Sequence, residues 1–410
     1  MDRPADDAAR PARRSGLTFP KLIVSAGDPS GDRLGAACLH ALRARGVAVD
    51  AVGLGGPALR DAGLDAVASM ESVAVMGFAD VVRHLPAIRR ARAALLDLLA
   101  RHPDALFLPI DSPGLNLGLA RTAHRSGHPV VYYVCPQIWA WGYGRVARLR
   151  EDVDLMLLLF RFEEPILHRE RVPARWVGHP AGALTPDPSL RELARRAFEI
   201  RPEERLIALL PGSRRAEVRR HLAPMLDAAS RLVNHAGAGI RVVVSDAGPV
   251  DDVTAADGSA AALWRALRPI HHRGESHPVL RAADLAVVAS GTATLETAAL
   301  GVPMVIVYRT SPLNFAIARR VVRLPRIGLA NIVAGLDAAP ELIQDAANGA
   351  GIARAAAELL ENGAARERQR EAFAGLSERL GGGGSADRAA EALLEFVAER
   401  AGSRQTASTG

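Results

Sequence analysis

The chain has 410 residues, of which 49% are hydrophobic and 4% aromatic, and its formal net charge at pH 7 is +6. That length exceeds the usual limit of a single hydrophobic core, so two domains are expected. No apolar run approaches the length that spans a bilayer, and the few aromatic residues, without a recognisable DNA- or RNA-binding motif, argue against a nucleic-acid partner. The excess positive charge is arginine spread along predicted helices, which suits anionic substrates or an anionic membrane surface. Two cysteines and no signal peptide indicate a reducing, cytoplasmic compartment.

The chain begins with a predicted disordered leader, residues 1–20, which is rich in Pro, Ala, Arg and Asp and lacks apolar periodicity. Strands and helices then alternate, as is typical of an α/β fold with parallel sheets. The first predicted strand, Lys21–Ala26, delivers a glycine turn to the carboxyl edge of a sheet, where open α/β sheets bind ligands. Ser30 and Asp32 in this turn are candidates for substrate contacts, with capping of a helix as the alternative.

A second glycine-rich stretch, Gly53–Ala58, matches the dinucleotide-binding pattern G-x-G-x-x-A. It follows the second strand rather than the first, Pro57 resembles the first residue of a helix, and no acidic residue ends a strand at the right distance. A tight turn is therefore favoured over the site of a dinucleotide-dependent oxidoreductase. The chain also lacks the P-loop pattern, which argues against a P-loop phosphotransferase.

Residues 73–92 combine a short apolar run with an amphipathic helix edged by arginines. From the pattern alone, a helix that faces the core is favoured over one that contacts a membrane.

Two later strands of the first half bring further candidates to the same edge. Asp111 follows the buried strand Ala105–Ile110, where a carboxylate can act as a general base, although Pro113 also suits an Asx turn. Trp139 lies in the loop after the next strand. It can stack on a sugar or a base, or it can pack against a cleft between domains.

Near the midpoint, residues 206–221 predict a strand, a glycine turn and a helix. Leu206–Leu210 has the length of a buried strand, and Gly212 and Ser213 break it. The free N–H groups of the turn, the helix dipole and the guanidinium of Arg214 together predict a site for phosphate or diphosphate. An ordinary turn with an exposed arginine is the alternative.

The second half repeats this arrangement. After the predicted strand Leu285–Ala289, Ser290, Gly291 and Thr292 form a second helix start for phosphate oxygens, and Glu296 is placed to accept ribose hydroxyls. Pro303–Val307 is predicted to be the last strand.

The remaining histidines and glycines of the second half predict no further chemistry. His271, His272 and His277 lie in a predicted loop, residues 271–278, and lack metal-ligand spacing, so neither a metal nor another cofactor is expected. The run Gly381–Gly384 is interpreted as a flexible joint. The predicted domains are therefore residues 21–182 and 183–380, followed by a linker and final helix at 381–400 and a disordered tail at 401–410.

Eight motifs in register resemble the lipid-A-disaccharide synthase family. They are Ala26–Asp32, Met76–Phe78, Ile110–Pro113, Pro136–Trp141, Val177–Pro180, Leu210–Arg214, Ser290–Glu296 and Ala330–Asn331. The resemblance implies the GT-B architecture, an α/β fold in which two Rossmann-like domains face each other across a cleft. It also implies an inverting transferase that joins UDP-2,3-diacylglucosamine to 2,3-diacylglucosamine 1-phosphate and releases UDP.

The resemblance also implies roles for individual residues. Asp111 corresponds to the essential strand-end aspartate of the family, Arg214 to its diphosphate arginine, and Glu296 and Asn331 to residues of its nucleotide site. Asp28 is expected on the acceptor side, where the family usually has glutamate. Two other positions differ from the family pattern on the acceptor side: Gly114-Leu115 replaces aspartate-phenylalanine, and Gly142 replaces a basic residue.

The acyl chains of both substrates favour the membrane interpretation of residues 73–92. The expected interface residues are Val75, Met76, Phe78, Arg89 and Arg90. The protein is then expected on the inner face of the inner membrane as a peripheral protein, and the interpretation leaves room for a homodimer. Two alternatives stay open at this point: an isomerase like UDP-N-acetylglucosamine 2-epimerase, and a non-catalytic peripheral nucleotide-binding protein.

Overall fold

The computed structural model describes residues 19–70, 73, 78–140, 142–236, 239–246, 249–255, 258–312, 315–316, 320 and 325–408. These residues form two sheets, of seven and six strands, in which neighbouring strands run parallel to each other. Helices connect successive strands, as a parallel sheet requires. The predicted α/β fold class is confirmed.

The first sheet has the strand order β3-β2-β1-β4-β5-β6-β7. Its strands are β1 Leu22–Ala26, β2 Ala51–Gly55, β3 Asp65–Ser69, β4 Leu106–Ile110, β5 Val131–Tyr133, β6 Leu155–Leu158 and β7 Ala174–Trp176. The helices of this half are α1 Pro29–Ala44, α2 Pro57–Asp61, α3 Phe78–Arg101, α4 Pro113–Arg125, α5 Val146–Asp152 and α6 Glu164–Arg169. The central strands β1 and β4 are buried along their whole length and almost entirely apolar, as is typical of a parallel sheet with helices on both faces.

The second sheet has the order β10-β9-β8-β11-β12-β13. Its strands are β8 Arg205–Leu210, β9 Ile240–Asp246, β10 Ile270–Arg273, β11 Leu285–Ala289, β12 Met304–Tyr308 and β13 Glu341–Ile343. The helices are α7 Pro188–Ala197, α8 Arg215–Ala236, α9 Val250–Thr254, α10 Ser259–Leu267, α11 His277–Ala282, α12 Thr292–Ala299, α13 Leu329–Ala334, α14 Gly349–Glu361, α15 Gly363–Phe373, α16 Leu376–Arg379 and α17 Ser385–Ser408.

Alternate residues of each strand enter different cores. In β1, Ile23 packs with α3 and α4, whereas Leu22 and Val24 join a cluster that also contains apolar residues of the second sheet and of α17. A third cluster lies between the second sheet, α8 and α14. The two domains therefore share apolar packing on one side.

The final helix returns to the first domain. Asp387 of α17 pairs with Arg45 at 2.6 Å. Arg388 donates from Nε to the carbonyl of Val177 at 2.8 Å and from its other nitrogens to the carbonyls of Gly381 and Gly383. The glycine run that was predicted as a flexible joint is thus held by Arg388 at two of its carbonyls. The tail from residue 401 was predicted to be disordered, and this is wrong for residues 401–408, which continue α17.

Three short strands escaped the sequence analysis. β3 and β13 are edge strands whose residues are only partly buried, so they lack a clear apolar run. The predicted loop at residues 271–278 is wrong, because it contains β10 and the start of α11. β10 is the other edge strand of its sheet, and its polar residues do not show the continuous apolar pattern of a central strand.

Candidate active site

Each of the two sheets has one switch point, where the strand order reverses, and two turns lie beside each other there. In the first sheet β1 pairs with β4, and in the second β8 pairs with β11. At these pairs the strand order reverses, and such switch points are where open α/β sheets bind ligands. The turns after β1 and β4 carry Asp28 and Asp111, and those after β8 and β11 carry Arg214 and Ser290. The structure thus places the predicted acceptor and nucleotide residues at equivalent positions of two domains.

Asp111 and Ser112 form a strained turn at the end of β4. Both have left-handed backbones, with φ of 46° and 45°, which non-glycine residues adopt rarely and at a cost. The carbonyl of Asp111 accepts hydrogen bonds from Tyr132 Oη at 2.7 Å and from Asn116 Nδ2 at 2.9 Å. The buried Asn116 is anchored in turn by Ser25 Oγ, which donates to its amide oxygen at 2.6 Å. The surrounding core therefore holds the backbone of Asp111 in place.

The carboxyl group of Asp111 has an unusual proton affinity. Its pKa is raised to about 6, first by burial and then by the charge of Asp28, while the backbone N–H of Ser112 and the charge of Arg214 lower it. The effect of Arg214 places the two switch points within electrostatic reach of each other. A carboxylate with a pKa near neutrality is suited to accepting a proton.

The two carboxylates in and after the turn that follows β1 accept hydrogen bonds at the starts of α1 and α2. Asp28 caps α1, since its Oδ1 accepts from the backbone N–H of Ser30 at 3.0 Å, and its Oδ2 accepts from Ser112 Oγ at 3.0 Å. Asp32 is only 3% exposed. Its carboxylate accepts from three backbone N–H groups at the start of α2, those of Gly56, Ala58 and Leu59. The carboxylate of Asp32 thus supports the start of α2, and its contact with substrate stays a prediction. The role of the half-buried Ser30 stays a prediction.

The glycine turn before α8 has the predicted donors. Gly212 has a φ of 111°, a conformation that favours glycine. Arg214 is 41% exposed and pairs with Glu217 at 3.0 Å. The Oε2 atom of Glu217 also accepts from the backbone N–H of Ser213 at 3.3 Å and of Arg214 at 3.4 Å. The N–H groups and the guanidinium converge, as an anion site requires.

His221 links this turn to the end of β12, which lies two strands away from β8 in the sheet. Its Nδ1 lies 3.0 Å from the carbonyl of Pro211, and its Nε2 accepts from the backbone N–H of Arg309 at 2.9 Å. Burial lowers the pKa of His221, so the neutral ring with its proton on Nδ1 satisfies both bonds. The sequence analysis did not assign His221 a role, because a lone histidine on a helix carries no motif.

The second helix start has Ser290, Gly291 and Thr292 ahead of α12. Ser290 Oγ donates to the carbonyl of Ile327 at 2.8 Å, while Gly291 is the N-cap residue and Thr292 the first residue of the helix. Glu296 is half-buried in the first turns of α12. These residues lie at the β11 side of the switch point, and their contacts with nucleotide stay a prediction.

A residue outside the predicted set orients Glu296. Ser276 Oγ donates to Glu296 Oε2 at 2.9 Å, and His277 Nε2 lies 3.7 Å from the same atom. Both come from the connection between β10 and α11, which the sequence analysis treated as a loop. The signal that could have found them is the Ser-His-Pro start of a helix after a strand.

Asn331 lies inside the second domain. It is 1% exposed, and its amide donates to the carbonyl of Ala339 and to Glu341 Oε1 while its oxygen accepts from two backbone N–H groups. In this structure both polar ends of the Asn331 side chain bind protein groups, and its contact with nucleotide stays a prediction. Glu341 also accepts from the backbone N–H groups of Ile327 and Gly328. Through Glu341, Asn331 therefore supports the segment whose carbonyl, that of Ile327, accepts from Ser290 Oγ.

Trp139 packs within the first domain. Its Nε1 donates to Glu163 Oε1 at 2.9 Å, and its ring meets Phe162 edge to face at 5.1 Å. Burial raises the pKa of Glu163 to about 8, against the hydrogen bonds from Trp139 and from the backbone of Phe160. This arrangement favours the packing alternative for Trp139, and stacking of its half-buried ring on a sugar stays a prediction.

The predicted membrane segment is described in part. Val75 and Met76 lie outside the described residues, as does the side chain of Phe78. Arg89 and Arg90 are exposed on α3, whose opposite side buries Ala91, Leu95, Leu98 and Leu99. In the described part of the chain, no helix is long and apolar enough to cross a membrane.

The histidines considered as metal ligands have other contacts. His271 Nε2 lies 2.9 Å from Asp246 Oδ2, and His272 Nε2 lies 2.9 Å from the carbonyl of Glu275. Among the residues that the structure describes, no group of three or more His, Cys, Asp or Glu side chains could hold a metal ion.

The sequence is similar to enzymes of one family along nearly its whole length. A model of the lipid-A-disaccharide synthetase family matches residues 22–393. The lipid-A-disaccharide synthase of Trichlorobacter lovleyi is 38% identical over 92% of this chain and 97% of its own. That of Azotobacter vinelandii is 40% identical over 93% of this chain and 99% of its own.

Solved structures share the fold at low identity. The UDP-GlcNAc 2-epimerase of Neisseria meningitidis bound to UDP-GlcNAc has a TM-score of 0.60 at 13% identity, covering 92% of this chain and 100% of that one. The calicheamicin glycosyltransferase CalG4 has a TM-score of 0.55 at 19% identity, covering 92% of this chain and 98% of that one. These similarities concern the fold alone, and with the two parallel sheets they confirm the GT-B architecture.

Proposed function

We propose that this chain, which belongs to the lipid-A-disaccharide synthase family, transfers 2,3-diacylglucosamine from its UDP derivative to 2,3-diacylglucosamine 1-phosphate. As a member of that family it is a glycosyltransferase that forms the disaccharide of lipid A. The observation that carries the proposal is the family match over residues 22–393, which runs through both switch points. The isomerase and the non-catalytic alternatives are not favoured, because the 38% and 40% identical relatives are synthases.

Asp111 is the proposed general base. As the 6-hydroxyl of the acceptor attacks the anomeric carbon, its proton passes to the carboxylate of Asp111, and the new C–O bond forms on the face opposite the departing UDP. Inversion then gives the β-1′,6 linkage. The strained turn supports this role because it fixes the backbone from which the carboxylate extends. The raised pKa supports it because the group can take up a proton near neutrality.

The second domain is proposed to hold the leaving group. The bond between the anomeric carbon and the β-phosphate oxygen breaks, and the electron pair stays on that oxygen. Arg214 and the N–H groups at the starts of α8 and α12 supply positive charge where this negative charge develops. Glu296, which accepts a hydrogen bond from Ser276, is proposed to accept hydrogen bonds from the ribose hydroxyls.

Both substrates carry acyl chains, so we also propose that residues 73–92 contact the inner face of the inner membrane. The exposed Arg89 and Arg90 support this proposal, since juxtamembrane arginines are attracted to anionic lipid head groups.

The direct test is incubation of the purified protein with UDP-2,3-diacylglucosamine and 2,3-diacylglucosamine 1-phosphate, followed by mass spectrometry of the lipid. A product with the mass of the tetraacyl disaccharide 1-phosphate and an equal amount of UDP is expected, also in the presence of EDTA. Conversion of UDP-N-acetylglucosamine alone into its 2-epimer, without disaccharide, would instead favour the isomerase.

A further inference from the structure

Glu217 covers the turn that is proposed to hold the diphosphate. Its Oε2 atom accepts from the backbone N–H of Ser213 at 3.3 Å and of Arg214 at 3.4 Å, and its Oε1 accepts from Arg214 Nη1 at 3.0 Å. These three donors are the ones that an anion at the start of α8 would use. The carboxylate therefore stands where an oxygen of the diphosphate is expected.

The same carboxylate fills the space above Gly212. A Cβ atom built on Gly212 would lie 2.7 Å from Glu217 Oε2, so only glycine leaves room for this contact. Each backbone N–H is a single donor, and two anions in contact destabilise each other. A diphosphate can therefore use the N–H groups of Ser213 and Arg214 only after Glu217 has moved.

Glu217 is held loosely enough to move. It is the third residue of α8, a position from which glutamate commonly reaches back to the first N–H groups of a helix. The side chains of Arg214 and Glu217 are 41% and 24% exposed, and ion pairs this close to solvent contribute little to stability. A diphosphate carries more negative charge than the carboxylate of Glu217, so it attracts the same donors more strongly.

We propose that Glu217 is a built-in competitor of the diphosphate, which closes the turn when no nucleotide is bound and swings away when UDP enters. This inference rests on the proposed function, because it takes the turn before α8 as the diphosphate site. By opposing the retention of UDP, Glu217 favours release of this product after transfer.

The test compares Glu217→Gln with the unmodified protein in calorimetric titrations with UDP, UMP and uridine. Glutamine keeps the length of the side chain and can still accept from an N–H group, but it removes the charge. We expect UDP to bind about threefold to tenfold more tightly to Glu217→Gln, in proportion to the loss of an exposed ion pair and its hydrogen bonds. Uridine has no phosphate, so its affinity should not change.

Two further variants make the test specific. Glu217→Asp keeps the charge but shortens the side chain by one methylene, so it should also bind UDP more tightly. Glu192→Gln removes the same charge from an exposed pair with Arg196 in α7 and should bind UDP like the unmodified protein. Thermal unfolding of each variant shows whether it is folded.

The outcomes separate this inference from the proposed function. If Arg214→Ala weakens UDP binding but Glu217→Gln does not strengthen it, the diphosphate site stands and the competition is overturned. A weaker affinity in Glu217→Gln would also overturn it, since Glu217 would then orient Arg214 for the ligand. If neither substitution changes UDP affinity, the turn is not the diphosphate site and both proposals fail.

Discussion

The turns at the two switch points differ in the residues that adopt a positive φ. In the first domain two non-glycine residues, Asp111 and Ser112, take left-handed conformations, whereas in the second domain Gly212 has the positive φ. The backbone of the first turn is held by the buried Asn116 and Tyr132, and the N–H groups of the second are covered by the side chain of Glu217. In the first domain a strained backbone fixes the point from which the Asp111 carboxylate extends. In the second domain the glycine turn leaves backbone N–H groups available to a ligand.

This difference suggests that the first switch point acts in proton transfer and the second in nucleotide binding. The first switch point presents a half-buried acid whose pKa is raised to about 6, and the second presents a half-exposed arginine and backbone donors. We therefore expect substitutions in the first domain to change turnover and substitutions in the second to change nucleotide affinity.

The largest expected effect is that of Asp111→Asn. Asparagine keeps the size and hydrogen bonding of the side chain but cannot take up the proton, so kcat should fall by about 10²–10⁴, the usual contribution of a general base. Initial rates at saturating substrates measure it. UDP affinity should stay unchanged, because the nucleotide is proposed to bind in the other domain.

The matched control is Asp61→Asn, which changes an exposed carboxylate in α2 and should leave kcat unchanged. A fall in the melting temperature of Asp111→Asn in proportion to the lost activity would mean that Asp111 is only a structural turn residue. A folded and active variant would place the base elsewhere, with Asp28 the next carboxylate to test.

Arg214→Ala is expected to have the next largest effect. It removes charge-assisted hydrogen bonds to the diphosphate and should weaken UDP binding by about 1.5–3 kcal/mol, as measured by calorimetry. The neighbouring Arg215 pairs with Asp252 at 3.2 Å and is 59% exposed, so Arg215→Ala is the matched control and should change UDP affinity little. Equal effects of the two substitutions would contradict the diphosphate assignment.

A third prediction extends the comparison to the surface of the first domain. Replacing Arg89 and Arg90 by serine should weaken binding to anionic vesicles by about 2 kcal/mol, or about 1 kcal/mol for each arginine near the lipid surface. Cosedimentation at low and high salt measures this loss. The control replaces Arg354 and Arg368, which are exposed on the second domain. If both double variants lose the same affinity, the attraction comes from net charge rather than from this surface.

Sequence patterns were reliable where a strand is central and a turn follows it. The buried runs before Asp111 and Arg214 predicted both strands and placed both residues at ligand-binding edges, because a continuous apolar run and a glycine turn are local features. Edge strands such as β10 were missed, because partial burial leaves a mixed pattern without a period.

The pattern could not show whether a polar side chain faces the cleft or the interior. Asp32 and Asn331 lie in motifs of the family, yet both are buried and their oxygen atoms accept from backbone N–H groups of other segments. The partners of Ser276 and His221 are also distant in sequence, 20 and 88 residues away. Such pairings depend on tertiary packing, which local periodicity does not record.

The pH dependence of kcat/KM tests the electrostatic link between the two switch points. Only the unprotonated carboxylate of Asp111 can accept the proton. Since its pKa is raised to about 6, kcat/KM should fall about tenfold for each pH unit below that value. Arg214 lowers this pKa, so in Arg214→Ala the acid limb should move to higher pH, whereas in Arg215→Ala it should stay in place. A profile of the unmodified protein that is flat from pH 5 to 8 would exclude Asp111 as the base. An acid limb that Arg214→Ala leaves unmoved would instead mean that the two turns are too far apart in solution to influence each other.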